Sequence, residues 1–236
     1  PRTVRVEKPP PAPTSADGPT EAEVRKAKNL QMSLLPKHLP GVDGYQVAAA
    51  HRLAAGSVSD FYDVVGRGER ELAIVLCRVT SGPTVGARIM MMLRNVFRAL
   101  AETNASPRDS IVEANDLIAR QVEPGTFVNA LYAVLDLQTG TIEVANVGHQ
   151  PPVVWSREMG LATTGMTPGA AALGTENRAA LAPKVVEERF TLAPGDFAVF
   201  LTDGVTEARH PLHGPFGAKR LIQTVSRNSA AAPAEL

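Results

Sequence analysis

Eight short apolar segments bounded by Gly, Pro and Asp constrain this chain more than any other feature. They are "YQVAAAH", "DFYDVV", "ELAIVLCRV", "FVNALYAVLDL", "TIEVANV", "PPVVW", "KVVEERFTL" and "FAVFLTD". Segments of this length and composition predict strands, and "DLQTGT" predicts a hairpin turn between two of them, so most neighbours are antiparallel. Two helical patterns interrupt the strands in one block, across "TVGARIMMMLRNVFRALAET" and "SPRDSIVEANDLIARQV". Strands, then paired helices, then more strands predict an α+β layered sandwich rather than a doubly wound sheet. The chain has neither a glycine-rich phosphate loop nor a dinucleotide fingerprint.

In the second helical pattern Ser106 caps and Pro107 takes the first helical position. Ile111, Ala114, Leu117, Ile118 and Val122 then fall on one side, as packing against a sheet requires. Met90, Met91 and Met92 in the first pattern read as adaptable core filler. Residues 1–20 carry six prolines and little apolar material, which predicts a linker without a core of its own. Residues 21–40 predict a linker helix: Thr20 and Glu23 have capping-box spacing, Val24, Ala27, Leu30 and Leu34 form an apolar stripe, and Pro36 and Pro40 end it. That stripe either packs on its own domain or forms a dimer and signalling contact. Residues 41–236 form the main domain.

Lys and Arg total 24 and Asp and Glu total 24, so the charge balance argues against nucleic acid or an anionic membrane as partner. The longest apolar runs fall well short of the roughly 20 residues that span a bilayer. A single cysteine, Cys77, excludes an internal disulfide and fits a reducing compartment, so the expected location is cytoplasmic.

Alternation along a strand places Leu72, Ile74, Leu76 and Arg78 on one face, and Phe197, Val199, Leu201 and Asp203 on one face of another strand. Each polar residue ends an apolar face, where a side chain looks into a cleft at the rim of a core. Asp60, sharing a face with Tyr62 and Val64, makes a third. Taken alone, three such ends are equally compatible with plain strand caps.

The ordered segments "NLQMSLLPKHLPGVDGYQVAAAHRLAAGSVSDFYDVV", "SPRDSIVEANDLI", "FVNALYAVLDLQTGTIEVANVGHQPPVV", "LAPGDFAVFLTDGVTEAR" and "FGAKRLI" resemble the SpoIIE/RsbU-type bacterial branch of the PPM serine/threonine phosphatases. The resemblance implies an α-β-β-α sandwich of two antiparallel sheets flanked by helices. It also implies a Mn2+ or Mg2+ centre at one end, where a metal-activated water attacks phosphoserine or phosphothreonine, often on an anti-anti-sigma factor.

Carried across residue by residue, the family's "GGDFYD" is "VSDFYD" here, so Asp60 matches an aspartate ligand while Val58 and Ser59 replace two glycines. The family's "DVSGHG" is "RVTSGP", which places Arg78 where an aspartate bridges two metals. "TDG" is retained, so Asp203 matches a further ligand. Val79 and Gly204, next to Arg78 and Asp203, fall in the same degenerate metal site. The family's final strand, with its "DD", has no counterpart before Leu236.

A cation about 4 Å from a divalent ion is repelled by roughly 8 kcal/mol at an effective dielectric near 20. Mg2+ and Mn2+ also want oxygen donors, and a guanidinium has none to give. The expectation is therefore a pseudophosphatase without catalytic residues or metal cofactor, in which Arg78 bridges Asp60 and Asp203. Such a domain would bind a protein partner, either an anti-anti-sigma-like protein or a phosphoprotein, with a homodimer through residues 24–34 as the alternative to packing that stripe on its own domain. The alternative is an active phosphatase holding Mn2+ or Mg2+ through Asp60 and Asp203. A purely structural oligomerisation domain is a third reading.

Other candidates read as structural. His149 in "NVGHQPP" belongs to a turn leading into a strand, His210 and His213 to a solvated loop, and Cys77 to the buried strand face opposite Arg78. Asp63 orients its neighbours. Arg88, Arg94 and Arg98 form a solvated or partner-facing stripe.

Overall fold

The computed structural model describes residues 20–52, 60–103, 105–123, 125–167, 169 and 171–235. All but Thr20 of the expected linker at 1–20, and the substituted pair Val58 and Ser59, lie outside these. Helix α1 (Glu21–Leu34) precedes strands β1 (Asp60–Arg67) and β2 (Glu71–Thr80) and helices α2 (Pro83–Ala101) and α3 (Pro107–Ile118). Strands β3 (Phe127–Asp136), β4 (Thr141–Val147), β5 (Val153–Ser156) and β6 (Leu161–Thr164) follow, then α4 (Arg178–Leu181), β7 (Val186–Thr191) and β8 (Phe197–Val199). The remainder is α5 (Asp203–Thr206), the short pair β9 (Arg209–His210) and β10 (Gly214–Pro215), and α6 (Gly217–Arg227).

Five strands form one antiparallel sheet in the order β1-β2-β3-β4-β7, and three form a second in the order β6-β5-β8. Strand alternation divides the apolar residues of the larger sheet between two cores. Phe61, Cys77, Val79, Ala130 and Tyr132 pack under α1, α2 and α3 with Ile89, Leu93, Phe97, Ile111 and Ile118. Leu72, Leu76, Leu131 and Leu135 face the other way, where Ala198 and Phe200 of the smaller sheet meet them. A third cluster joins Val153, Trp155 and Leu201 to Leu221 and Val225 of α6. Helices, sheet, sheet, helix: the α-β-β-α sandwich implied by the sequence resemblance is present.

Local chemistry accounts for the element ends. Thr20 and Glu23 form the full capping box of α1, and the Ser106 hydroxyl accepts the Asp109 N–H at the start of α3. In the β3–β4 turn the Asp136 carboxylate accepts the Gln138 and Thr139 N–H groups, and Gly140 supplies a φ of +71°. Several expectations are corrected here. "YQVAAAH" forms no strand; Tyr45 and Val47 pack on the inter-sheet core from an irregular segment. The pattern also missed β6, whose four residues "LATT" are mostly exposed. Leu117 is 47% exposed rather than on the packed face of α3, and Val122 lies beyond the helix end.

The α1 stripe is used within the chain. Ala27 and Leu34 are buried in the core that α1 shares with α2, Leu30 packs on it, and Val24 is half-buried. This matches packing on its own domain and leaves Glu21, Arg25, Lys26, Asn29 and Met32 on the exposed side. That side is too polar to serve as a coiled-coil seam.

Candidate functional site

The candidate site assembles at one end of the sandwich from β1, β2 and the segment that follows β8. Asp60 opens β1 and Arg78 stands near the end of β2, and the antiparallel register sets them directly opposite each other. Beneath Asp60, the buried Gln31 of α1 donates from Nε2 to the Asp60 backbone carbonyl at 2.6 Å. From the segment after β8, the Thr202 hydroxyl donates to Asp60 Oδ2 at 2.6 Å. Gly204 lies over the same carboxylate: a Cβ there would stand 3.2 Å from Asp60 Oδ2. Glycine is what allows that close approach.

Asp203 does not end a strand. β8 stops at Val199, and Asp203 is the first residue of the single turn α5. Phe197, Val199 and Leu201 also do not face the inter-sheet core; they pack toward α6, while Ala198 and Phe200 face inward. The Asp203 carboxylate reaches Arg78 all the same: Arg78 Nη1 is ion-paired with Asp203 Oδ1, and Glu207 Oε2 lies 3.6 Å from the same nitrogen. Glu207, four residues beyond Asp203 and so on the same side of a helical turn, was missed by the sequence reading, as was Thr202. Spacing alone could have suggested Glu207.

Of the bridge expected from sequence, Arg78 to Asp60 and Asp203, the Arg78–Asp203 ion pair is present, with Glu207 just past α5 beside it. Asp60 stands opposite Arg78 in the strand register and accepts the Thr202 hydroxyl. Val79 points away from this end, fully buried in the helix-side core. The donor set does not suit a pair of Mn2+ or Mg2+ ions: Asp203 is ion-paired with the Arg78 guanidinium, which has no lone pair to give. Among the described residues no three His, Cys, Asp or Glu side chains converge as a metal-binding group.

His149 is 3% exposed and takes part in a turn. Its N–H donates to Asn146 Oδ1, its Nδ1 donates to the Gln150 carbonyl at 3.0 Å, and its Nε2 has no hydrogen-bond partner. Burial pushes its pKa down to about 4, against the opposing pull of the Gln150 carbonyl and the Asp60 charge, with the Arg78 charge adding to the fall. Cys77 is fully buried and desolvation raises its thiol pKa, so it is inert. His210 and His213 stack with ring centroids 4.6 Å apart and are exposed on the β9–β10 hairpin.

The arginine stripe on α2 is corrected. Arg98 grips Asp63 at two points, Nε to Oδ2 at 2.6 Å and Nη2 to Oδ1 at 3.0 Å, and Arg94 Nε lies 3.8 Å from the same carboxylate. Arg88 pairs instead with Glu123. Asp63 thus does more than orient its neighbours: it anchors α2 to β1.

Two antiparallel sheets between helices, with "DFYD" and "TDG" meeting at one end, define the class as a PPM-type phosphatase domain. More narrowly, the chain belongs to the SpoIIE (Stage II sporulation protein E) family, whose profile matches residues 69–236. It is 26% identical over 246 residues to Protein IcfG of Synechocystis sp., covering 91% of this chain and 37% of that protein. It is 23% identical to the phosphoserine phosphatase RsbU of Bacillus subtilis, covering 80% of this chain and 55% of that one. The chain thus spans only part of the length of these relatives. Among solved structures, the RsbU and RsbW domains of Rv1364c from Mycobacterium tuberculosis superpose with a TM-score of 0.62 at 22% identity, covering 80% of this chain and 50% of that one. The SiaA-PP2C domain of Pseudomonas aeruginosa gives 0.62 at 16% identity, covering 75% and 68%. Among the described residues no helix is long and apolar enough to cross a membrane.

Proposed function

We propose that this domain is a pseudophosphatase: a PPM fold kept as a regulatory protein-binding module, its metal centre replaced by an ion-paired arginine. The observation that carries this reading is the pairing of Arg78 with Asp203, because it occupies a carboxylate that the resemblance assigns to metal binding. A divalent ion would have to displace the guanidinium from Asp203 and then sit beside it, at a cost of roughly 8 kcal/mol for a separation of about 4 Å.

A relative named phosphoserine phosphatase and a neighbour carrying RsbU and RsbW domains in one structure support a protein partner of the partner-switching kind. The link from Gln31 to the Asp60 carbonyl gives such a module a direct contact between α1 and the retained site.

Isothermal titration of the unaltered protein with Mn2+ tests the reading, together with release of inorganic phosphate from a phosphoserine peptide. The expected result is no saturable micromolar Mn2+ binding and no release. Saturable binding accompanied by release overturns it.

A further inference from the structure

From Ala208 to Ala234 the sequence has no Asp or Glu, yet it carries Arg209, Lys219, Arg220 and Arg227. All four are exposed, and no carboxylate of the described residues pairs with any of them. The carboxylates just before this stretch, Asp203 and Glu207, belong to Arg78.

Contacts within the chain bring these cations onto one surface. Arg220 Nη2 donates to the His213 carbonyl at 2.8 Å and the Pro215 carbonyl at 3.0 Å, which seats the β9–β10 hairpin on the first turn of α6. Both acceptors are neutral, so the guanidinium charge is left uncompensated. Arg227 follows Arg220 at i+7, on the side of α6 away from the buried Leu221 and Val225. Arg209 stands opposite Pro215 in the hairpin register.

The hairpin tip is preorganised. The Leu212 N–H donates to His210 Nδ1 at 3.2 Å, and the His210 and His213 rings stack. With Nδ1 accepting, the neutral His210 ring carries its proton on Nε2, a donor suited to a carboxylate. Leu212 itself is 85% exposed, the most exposed large apolar side chain among the described residues.

From this charge complementarity we infer that the β9–β10 hairpin and the outer side of α6 dock an acidic segment of a partner protein, with one apolar residue of that segment resting on Leu212. Arg209, Lys219, Arg220 and Arg227 meet its carboxylates, and Leu212 supplies the apolar anchor. An anionic bilayer suits this surface less well, because one leucine is not the broad apolar face that holds a protein in a membrane interface. A nucleic acid suits it less well because the chain as a whole carries no net positive charge. The inference concerns a surface beyond the Arg78 site and does not rest on the pseudophosphatase reading.

The test uses the full chain and three fluorescent synthetic peptides followed by anisotropy: EDELDEE, its serine form EDESDEE and its uncharged form QNQLNQQ. EDELDEE is expected to bind about tenfold or more tightly than QNQLNQQ, and to weaken severalfold as salt is raised. Arg209→Glu combined with Lys219→Glu should remove that preference, and Leu212→Ser should remove a severalfold advantage of EDELDEE over EDESDEE. Arg220 is left in place because it holds the hairpin, and circular dichroism checks the fold of each variant. The peptide comparison on the unaltered chain decides the matter without any variant. No binding of EDELDEE, equal binding of QNQLNQQ, or a preference unchanged by charge reversal or by L212S overturns the inference. Tighter binding of phosphatidylserine vesicles or of an oligonucleotide also overturns it, and assigns the surface to a membrane or a nucleic acid instead.

Discussion

Arg78 stands on β2 of the larger sheet and Asp203 opens the helical turn that follows β8 of the smaller one, and their ion pair ties the two together. Both side chains are about 30% exposed. Solvent screening therefore limits the pair, and Arg78→Met is expected to cost only about 0.5–1 kcal/mol. Urea unfolding measures this directly.

Arg78→Asp goes further, setting a carboxylate opposite Asp60 in the β1–β2 register. Without metal the variant should be less stable than Arg78→Met, by about 1 kcal/mol from like-charge juxtaposition across the ladder. Added Mn2+ should raise its unfolding midpoint but not that of the parent. Thermal scans with and without Mn2+ separate the two.

Asp63 is 1% exposed, whereas its partner Arg98 is 40% exposed. Asp63→Asn keeps the shape but leaves the two arginines facing an amide. A loss of about 2–3 kcal/mol is expected, below the range for a fully buried pair because Arg98 reaches solvent. Arg98→Lys should recover part of the pair's contribution as a point charge and none of its two-point geometry.

The buried His149 makes stability depend on pH. Its pKa, about 4 in the folded chain against 6.5 for the free group, means the unfolded chain takes up a proton first as pH falls. Its contribution is fully present above about 6.5 and is lost progressively toward pH 4, up to about 3 kcal/mol. His149→Gln should flatten the stability profile across that window, as denaturant midpoints at successive pH values would show.

Gly148, just before that histidine, has φ of +68°, and a Cβ there would stand 2.7 Å from Asn129 Oδ1. Gly148→Ala is expected to cost about 2–3 kcal/mol from the left-handed backbone and this contact together. Hydrogen exchange of the β4–β5 connection locates the damage.

Period-two alternation was enough to read Cys77 and Arg78 onto opposite faces of β2, because a strand in a two-sided sheet repeats without interruption. It failed at Asp203, where the strand had already given way to a helical turn that no apolar repeat announces. It failed at Tyr45–His51 too, since apolar side chains pack against a sheet from irregular backbone as well as from a strand. The Arg98–Asp63 pair was invisible for another reason. Helix periodicity shows that Arg94 and Arg98 share a side, but not that a buried carboxylate on β1, 35 residues before Arg98, faces them. Likewise, resemblance located Arg78 in the site and the four-residue spacing from Asp203 could have pointed to Glu207, but only three-dimensional contacts reveal Thr202 as the partner of Asp60.

Cys77 lies sealed beneath α2 and α3 with its thiol held protonated by its apolar surroundings. Maleimides and other thiol reagents should therefore pass the native protein by. Any cysteine engineered onto the hairpin tip or the exposed side of α1 would be a sole attachment point for a spin label or fluorophore, with no need to delete the native one first.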